Sequence, residues 1–431
     1  MGHTPGMTRA RRALILGCAG GIGAALVQLL ARHPAGRRLA TRIDHLVLLD
    51  EVPTAAPPLP AHVLPPCRID DAEELSPLLS SHGIDQVIEV GDVDTLAVSR
   101  VCSALGVDYV SASLQRRDVP ADSAEALTMI ASRALLPEHR PHVGATSHLL
   151  AAGMNPGIVN ALVDAGLEEL ARRTGAEPTV EALEVYAIHV TERDTTTAVD
   201  GVPGDVFPMS WSPRHALDEI LEPSAMYVAG ARLQVLPHRP DERLYVARCG
   251  ERDVAAMIVP HEEVVTIGAR FPGIESAFFY AIPDAAMDAL RARPHRAPED
   301  WSLHRLYPPH HTAPLVGSDR VGILIASRRH GELWIGFETR VADGARYGTN
   351  ATLLQAATGV LAGWSLLGTV PGIHVVDDLD TRAYLAIVEE ILGPPRVVHA
   401  PAAPMRSIRD RACAPEPVTS AARSRPTRSH R

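Results

Sequence analysis

The chain has few aromatic side chains, 4% of its 431 residues, and only five cysteines: Cys18, Cys67, Cys102, Cys249 and Cys413. No two form a C-x-x-C pair, which excludes a disulfide framework and a cysteine-rich zinc site and fits reduced thiols. Nowhere do about 18 apolar residues run without a charge, so no membrane span is expected. The opening "MGHTPGMTRARRALILG" sets basic residues before an apolar run, as a signal peptide does. No small-residue cleavage site follows, and the run continues into a glycine loop and an amphipathic helix, so a cytoplasmic protein is expected. Internal repeats are absent. "IVPHEEVVTIG" starts like the zinc-protease motif H-E-x-x-H, but Val265 stands where the second ligand belongs, and no metal is expected. "GSDRVG" lacks the neighbours of a serine nucleophile elbow, so nucleophilic hydrolysis has no support.

The formal charge of −10 is unevenly spread. Residues 405–431 carry seven Arg against Asp410 and Glu416, which leaves the remainder at −15. A strongly acidic body does not suit nucleic acid, and it does suit a cationic ligand.

The length allows two or three domains. "ALILG" (13–17), "HLVLLD" (45–50), "DQVIEVGD" (85–92) and "GVDYVSAS" (106–113) read as buried strands, with "GIGAALVQLLARH" and "DTLAVSRVCSAL" at helical spacing between them. That alternation predicts an α/β, Rossmann-type, doubly wound parallel sheet over residues 1–145. From about 180 the strands "VEALEVYAIHV", "RLYVARC", "DVAAMIVPHEEVVTIGARF", "SAFFYAIP", "RVGILIASRR" and "ELWIGFETR" follow one another without long helices. They predict a second, α+β domain over 146–340 on a largely antiparallel sheet. Two helices, "TNATLLQAATGVLAGWSLLG" (349–368) and "TRAYLAIVEEILG" (381–393), are expected to pack back on the core within 341–398. The Pro, Ala, Ser and Arg of 399–431 predict a disordered tail.

"LGCAGGIGAALVQLL" places Gly17, Gly20, Gly21, Ile22 and Gly23 between the first strand and its helix. Glycines there permit a tight turn and let backbone N–H groups approach a pyrophosphate at the helix N-terminus. The pattern is G-x-x-G-x-x-G, with Ala19 where the second glycine normally stands, so the bland alternative is a Rossmann fold without cofactor. The next strand ends in Asp50, which can accept the ribose hydroxyls of the adenosine. With Asp50-Glu51 and no Arg directly after them, NAD is expected over NADP. Further on, "AAGMNPGIVNALV" reads as a strand end entering a helix, with Asn155 as cap and Pro156 in the first turn. Gly157 is unexplained by capping.

In "IHVTERDTTTAVDG" alternation puts Glu192 and Asp194 on one face and Arg193 on the other, and a solvated loop is the plain reading. "FPMSWSPRHALDEILEP" sets Trp211 before a helix that carries Glu219. Trp usually packs in a core, but beside carboxylates its face can also hold a cation.

These segments, with "VPHEEVVTIG", "FFYAIPDAAMDAL" and "YGTNATLLQAATGVLAG", occur in the order seen in bacterial homospermidine synthases of the saccharopine dehydrogenase-like superfamily. The resemblance covers roughly residues 12–395. It implies a homodimeric enzyme that holds NAD, often as a prosthetic group. One putrescine is oxidised to an imine, ammonia is lost, a second putrescine condenses, and the new imine is reduced to a secondary amine. Carried across, it puts Asn155 near nicotinamide and substrate, and Glu192, Trp211 and Glu219 in an acidic amine pocket. Asp92 matches an acidic position at the sheet's ligand edge, and His261 and Glu263 match a family His and Glu. Gln115 and Ala281 depart from a family Glu and His, which implies a changed substrate. The alternatives are another saccharopine-type oxidoreductase that joins an amine or amino acid to a carbonyl compound, and a cofactor-binding scaffold protein without chemistry.

Overall fold

The computed structural model describes residues 11–115, 127–294, 296–368 and 370–413. The first ten residues of the segment that resembles a signal peptide and the tail beyond 413 lie outside these.

Apolar runs that are buried on both faces build a seven-stranded, all-parallel sheet. Its order across the sheet is Gly372–His374, Ser147–Leu149, Asp108–Ser111, Gln86–Glu89, Arg11–Leu16, Ile43–Leu49 and His62–Val63. All four strands read from the sequence of the first 145 residues are present. Two more, Ser147–Leu149 and Gly372–His374, come from later in the chain and extend one edge.

The second sheet has nine strands and is centred on Val185–Asp194, which pairs antiparallel with Ser318–Ser327 and parallel with Glu275–Ala281. The other pairings are antiparallel, so the largely antiparallel α+β expectation is met. The helix Ala351–Leu366 packs between the two halves, against the helix Gly21–Arg32, the helix Thr381–Leu392 and strands of both sheets. Asn350 caps it, its Oδ1 accepting from Leu353 N–H at 3.0 Å. Among the described residues no helix is long and apolar enough to cross a membrane.

Three local expectations are corrected. "PHEEVVTIGAR" does not continue the strand that ends at Val259; Glu262–Arg270 is a helix. Glu262 and Glu263 in its first turn and Arg270 in its last complement the helix dipole, and Val264 and Ile267 point to the core. Asn155 is not a cap. The helix runs Ile158–Thr174 after Gly157, whose N–H is met by Asn160 Oδ1 at 2.9 Å, and the Asn155–Pro156 peptide is cis. Finally, residues 399–413 are structured. Arg396–Ala400 is an edge strand on Gly331–Arg340, Ile408 is buried, and Arg411 pairs with buried Glu332 at 2.8 Å. The basic composition of 399–413 masked that packing.

Candidate functional site

The glycine loop leaves the sheet at Gly17, whose φ of +89° and closeness to the Gly91 backbone exclude a side chain. A Cβ on Gly23 would lie 2.2 Å from Gly17 O, so Gly23 serves the tight strand–helix turn and lines neither cleft described below. Asp50 braces this loop, with Oδ2 accepting from Ala19 N–H at 2.8 Å and Oδ1 from Val52 N–H at 3.1 Å. Gly17, Gly20, Asp50, Glu51 and Asp92 line one cleft. Arg68 also lines it, a cation that the sequence reading did not anticipate, but Asp70 at 2.7 Å and Glu51 at 3.8 Å pair with it. The arrangement fits a dinucleotide: a backbone cradle that a Cβ would fill, a helix N-terminus and a carboxylate at the second strand end.

A deeper cavity opens from the same loop. Gly20, Gly21 and Ile22 form one wall, and Asn155, Glu192, Trp211, Glu219 and Asp92 line the remainder, so the five expected catalytic residues share one cavity. Trp211 stands before the helix Pro213–Ile220, which Ser212 caps, and its Nε1–H donates to Tyr280 Oη at 3.0 Å, fixing the ring plane. Asn155 Nδ2 donates to Glu192 Oε2 at 2.8 Å. Asp92 sits at the rim, 71% exposed, with Oδ2 4.0 Å from His215 Nε2. Gln115 lines the cavity, whereas Ala281 does not.

Among the cavity residues without a role in the sequence reading are Asp319, Glu262, Tyr280 and Arg305. Asp319 opens the strand Ser318–Ser327 directly opposite Asp194. It is fully buried, and neither carboxyl oxygen has a hydrogen-bond partner among the described residues. Next to Arg320 it reads as a solvated strand start; only cross-strand pairing, invisible in sequence, puts it inside. Glu262 was hidden in the incomplete zinc motif.

The site therefore gathers acids with too few cations. Burial pushes Glu192 up to about 8, with Asp194 adding to the rise and the Asn155 hydrogen bond opposing it. Burial pushes Glu219 up to about 8 as well, against the pull of His261. Burial, then Glu192 and Asp194, raises Asp319 well above the usual carboxylate range. A cation entering here replaces protons as the compensating charge.

The native values of Glu192 and Glu219, and of Glu89, also pushed to about 8 by burial, lie above the unfolded ones. The native state thus holds more protons than the unfolded chain, and stability present at acidic pH is lost as pH rises through about 8. The ligand-free protein is expected to melt several degrees lower at pH 9 than at pH 6, and a diamine should restore much of the loss. A melting temperature that stays flat or rises over that range contradicts this picture.

No family model matches the chain. Two curated proteins are similar to it, both homospermidine synthases. The one from Mesorhizobium japonicum is 25% identical over 74% of this chain and 76% of its own length. That from Blastochloris viridis is 28% identical over 71% and 73%. The solved homospermidine synthase of Legionella pneumophila, in complex with NAD, has a similar fold, with a TM-score of 0.73 and 17% identity over 90% of this chain and 91% of that one. These comparisons bear out the resemblance read from the motifs.

Proposed function

We propose that the chain is an NAD-dependent enzyme of the homospermidine synthase type, which oxidises a diamine such as putrescine, exchanges its amine and reduces the product to a secondary amine. One observation carries the reading: a buried acidic cavity, faced by an aromatic ring, opens directly from a dinucleotide cradle. The cradle's holders are Gly17, Gly20, Gly21, Ile22 and Asp50, with Asn155 where cradle and amine pocket meet. NAD bound there would supply the acceptor and later the donor of the hydride.

The chain's own residues do the remainder. It contains no lysine, so no lysine Schiff base with the protein can form, and imine chemistry must proceed on a substrate held non-covalently. Hydride leaves from the C–H bond of the carbon that bears the nitrogen, which needs that amine neutral, whereas an aliphatic amine is protonated at neutral pH. Glu219 takes that proton as a carboxylate and returns it when ammonia departs. Glu192, oriented by Asn155, and Asp319 hold ammonium charge. Trp211 faces the positively charged imine, an interaction of about 0.5–2 kcal/mol.

Trp211→Ala should therefore lower turnover by ~2- to 30-fold with dinucleotide affinity unchanged; unaltered kinetics remove Trp211 from the site. The test of the whole reading is incubation with NAD and putrescine followed by mass spectrometry. Homospermidine and ammonia in equal amounts are expected.

A second reading has its own support. Gln115 can accept a hydrogen bond from an ammonium but cannot neutralise it, and Arg305 lines the cavity. Both favour a substrate with a carboxylate, joined to a carbonyl compound by reduction with NADH. Turnover of an amino acid and an aldehyde, with none of any diamine, selects it. The first reading also carries a cytoplasmic location and a homodimer, and a single species at twice the chain mass of 46.2 kDa in sedimentation velocity would support the dimer.

A further inference from the structure

His261 and Glu263 have no part in the chemistry assigned above, yet their geometry is specific. His261 precedes the helix Glu262–Arg270, is 6% exposed, and rests edge-on against Phe278 with ring centroids 4.9 Å apart. Its Nδ1 is hydrogen-bonded to Glu263 Oε2 and lies 3.2 Å from Glu262 Oε2. The opposite ring nitrogen, Nε2, faces Glu219 Oε2 across 3.9 Å, about 1 Å beyond a hydrogen bond. Glu263 is fully buried, and its other oxygen has no partner among the described residues. A buried carboxylate held by one imidazole is strongly destabilising unless that imidazole carries charge.

We propose that His261 and Glu263 are positioning residues for Glu219: Glu263 locks the ring through Nδ1, and the ring turns Nε2–H toward Glu219, stabilising the ionised form that accepts a proton from an arriving amine. The claim rests on the role given to Glu219 above. The groups facing His261 are Glu262 and Glu263 from its own helix, Glu219 from Pro213–Ile220 and Glu192 from Val185–Asp194, all carboxyls. Burial alone would discharge the ring, but Glu263, Glu262 and Glu219 outweigh it and hold His261 well above the usual histidine range. The proton balance is simple: the ammonium N–H proton passes to a Glu219 oxygen, and the imidazolium keeps its own two protons throughout. His261, Glu262 and Glu263 also form a grouping with metal-ligand spacing. Nδ1 is engaged by Glu263 here, and the chelator arm of the test below checks for an ion.

The experiment reads Glu219 directly. Infrared difference spectra against Glu219→Gln isolate its protonated carbonyl band, and the band's loss with pH gives the midpoint in ligand-free protein. In His261→Asn the midpoint should rise by about one pH unit or more, a tenfold loss of ionised Glu219 at fixed pH. The acid limb of kcat with putrescine should move with it. Glu263→Gln, which keeps the ring but loosens it, should give a smaller rise and serves if His261→Asn does not fold. An unchanged midpoint in a folded variant overturns the inference, as does a wild-type midpoint that shifts on adding a chelator. A shifted midpoint in a protein that turns over no amine would sink the proposed function and leave this unit standing.

Discussion

Glu219→Gln should lower kcat for diamine turnover by about 10²- to 10⁴-fold, the range for removing a positioned proton acceptor, while dinucleotide affinity stays at the wild-type level. Glu219 lines the cavity, is about a fifth exposed at its side chain, and has the imidazole of His261 at its far oxygen. Gln preserves its shape and removes its charge and its ability to take a proton. With the cavity empty the carboxyl sits at about 8 because burial outweighs His261. The proton-accepting form therefore grows as pH rises through that value, and a bound ammonium, being an opposite charge, lowers the value further. Wild-type kcat should climb from pH 6 toward pH 9, and the residual rate of Glu219→Gln should lack that climb. Glu192→Gln is expected to raise KM more than it lowers kcat, since Glu192 holds charge. Wild-type turnover by Glu219→Gln would move the base elsewhere, with Glu192 the next carboxyl to test.

The parallel sheet was legible because its signals are local. Runs such as "ALILG" are apolar throughout, as strands covered on both faces must be, and the glycines and Asp50 sit at fixed offsets from strand ends. The helix with Trp211 before it and Glu219 within it was legible for the same reason, through Ser212 and Pro213 at its start. Asp319 was not, because its burial depends on register against Asp194, 125 positions away in the chain. The pairing of His261 with Glu219 is likewise a meeting of one helix's start with another's last turn, which no local pattern announces. "PHEEVV" misled differently: its β-branched residues favour a strand, and the packing of Val264 and Ile267 on the core overrode that preference. Asn155 has the composition of a cap and spends its side chain on Glu192 instead.

Gly157→Ala should damage both stability and activity. Gly157 has φ +131° and ψ −93°, outside what residues with a Cβ readily adopt. The added Cβ would lie 2.2 Å from Gly153 O and 2.7 Å from Gly153 N, backbone atoms that no rotamer change can move. Strain of about 1–3 kcal/mol and overpacking of about 1–3 kcal/mol act together, and a melting temperature lower by roughly 5–10 °C is expected. The functional loss should exceed what that destabilisation accounts for. Relief can come only by opening the turn 153–157, which the Ile158 N–H to Gly153 O bond of 3.0 Å closes. That turn carries Gly153, Met154, Asn155 and Pro156 into the cavity wall, and Asn155 holds Glu192 from it. Assayed at a temperature where the variant is fully folded, it should show weakened amine binding and a kcat reduced at least tenfold. Wild-type kinetics together with a wild-type melting temperature would mean that the turn yields without cost, and that Gly157 has no part in shaping the site.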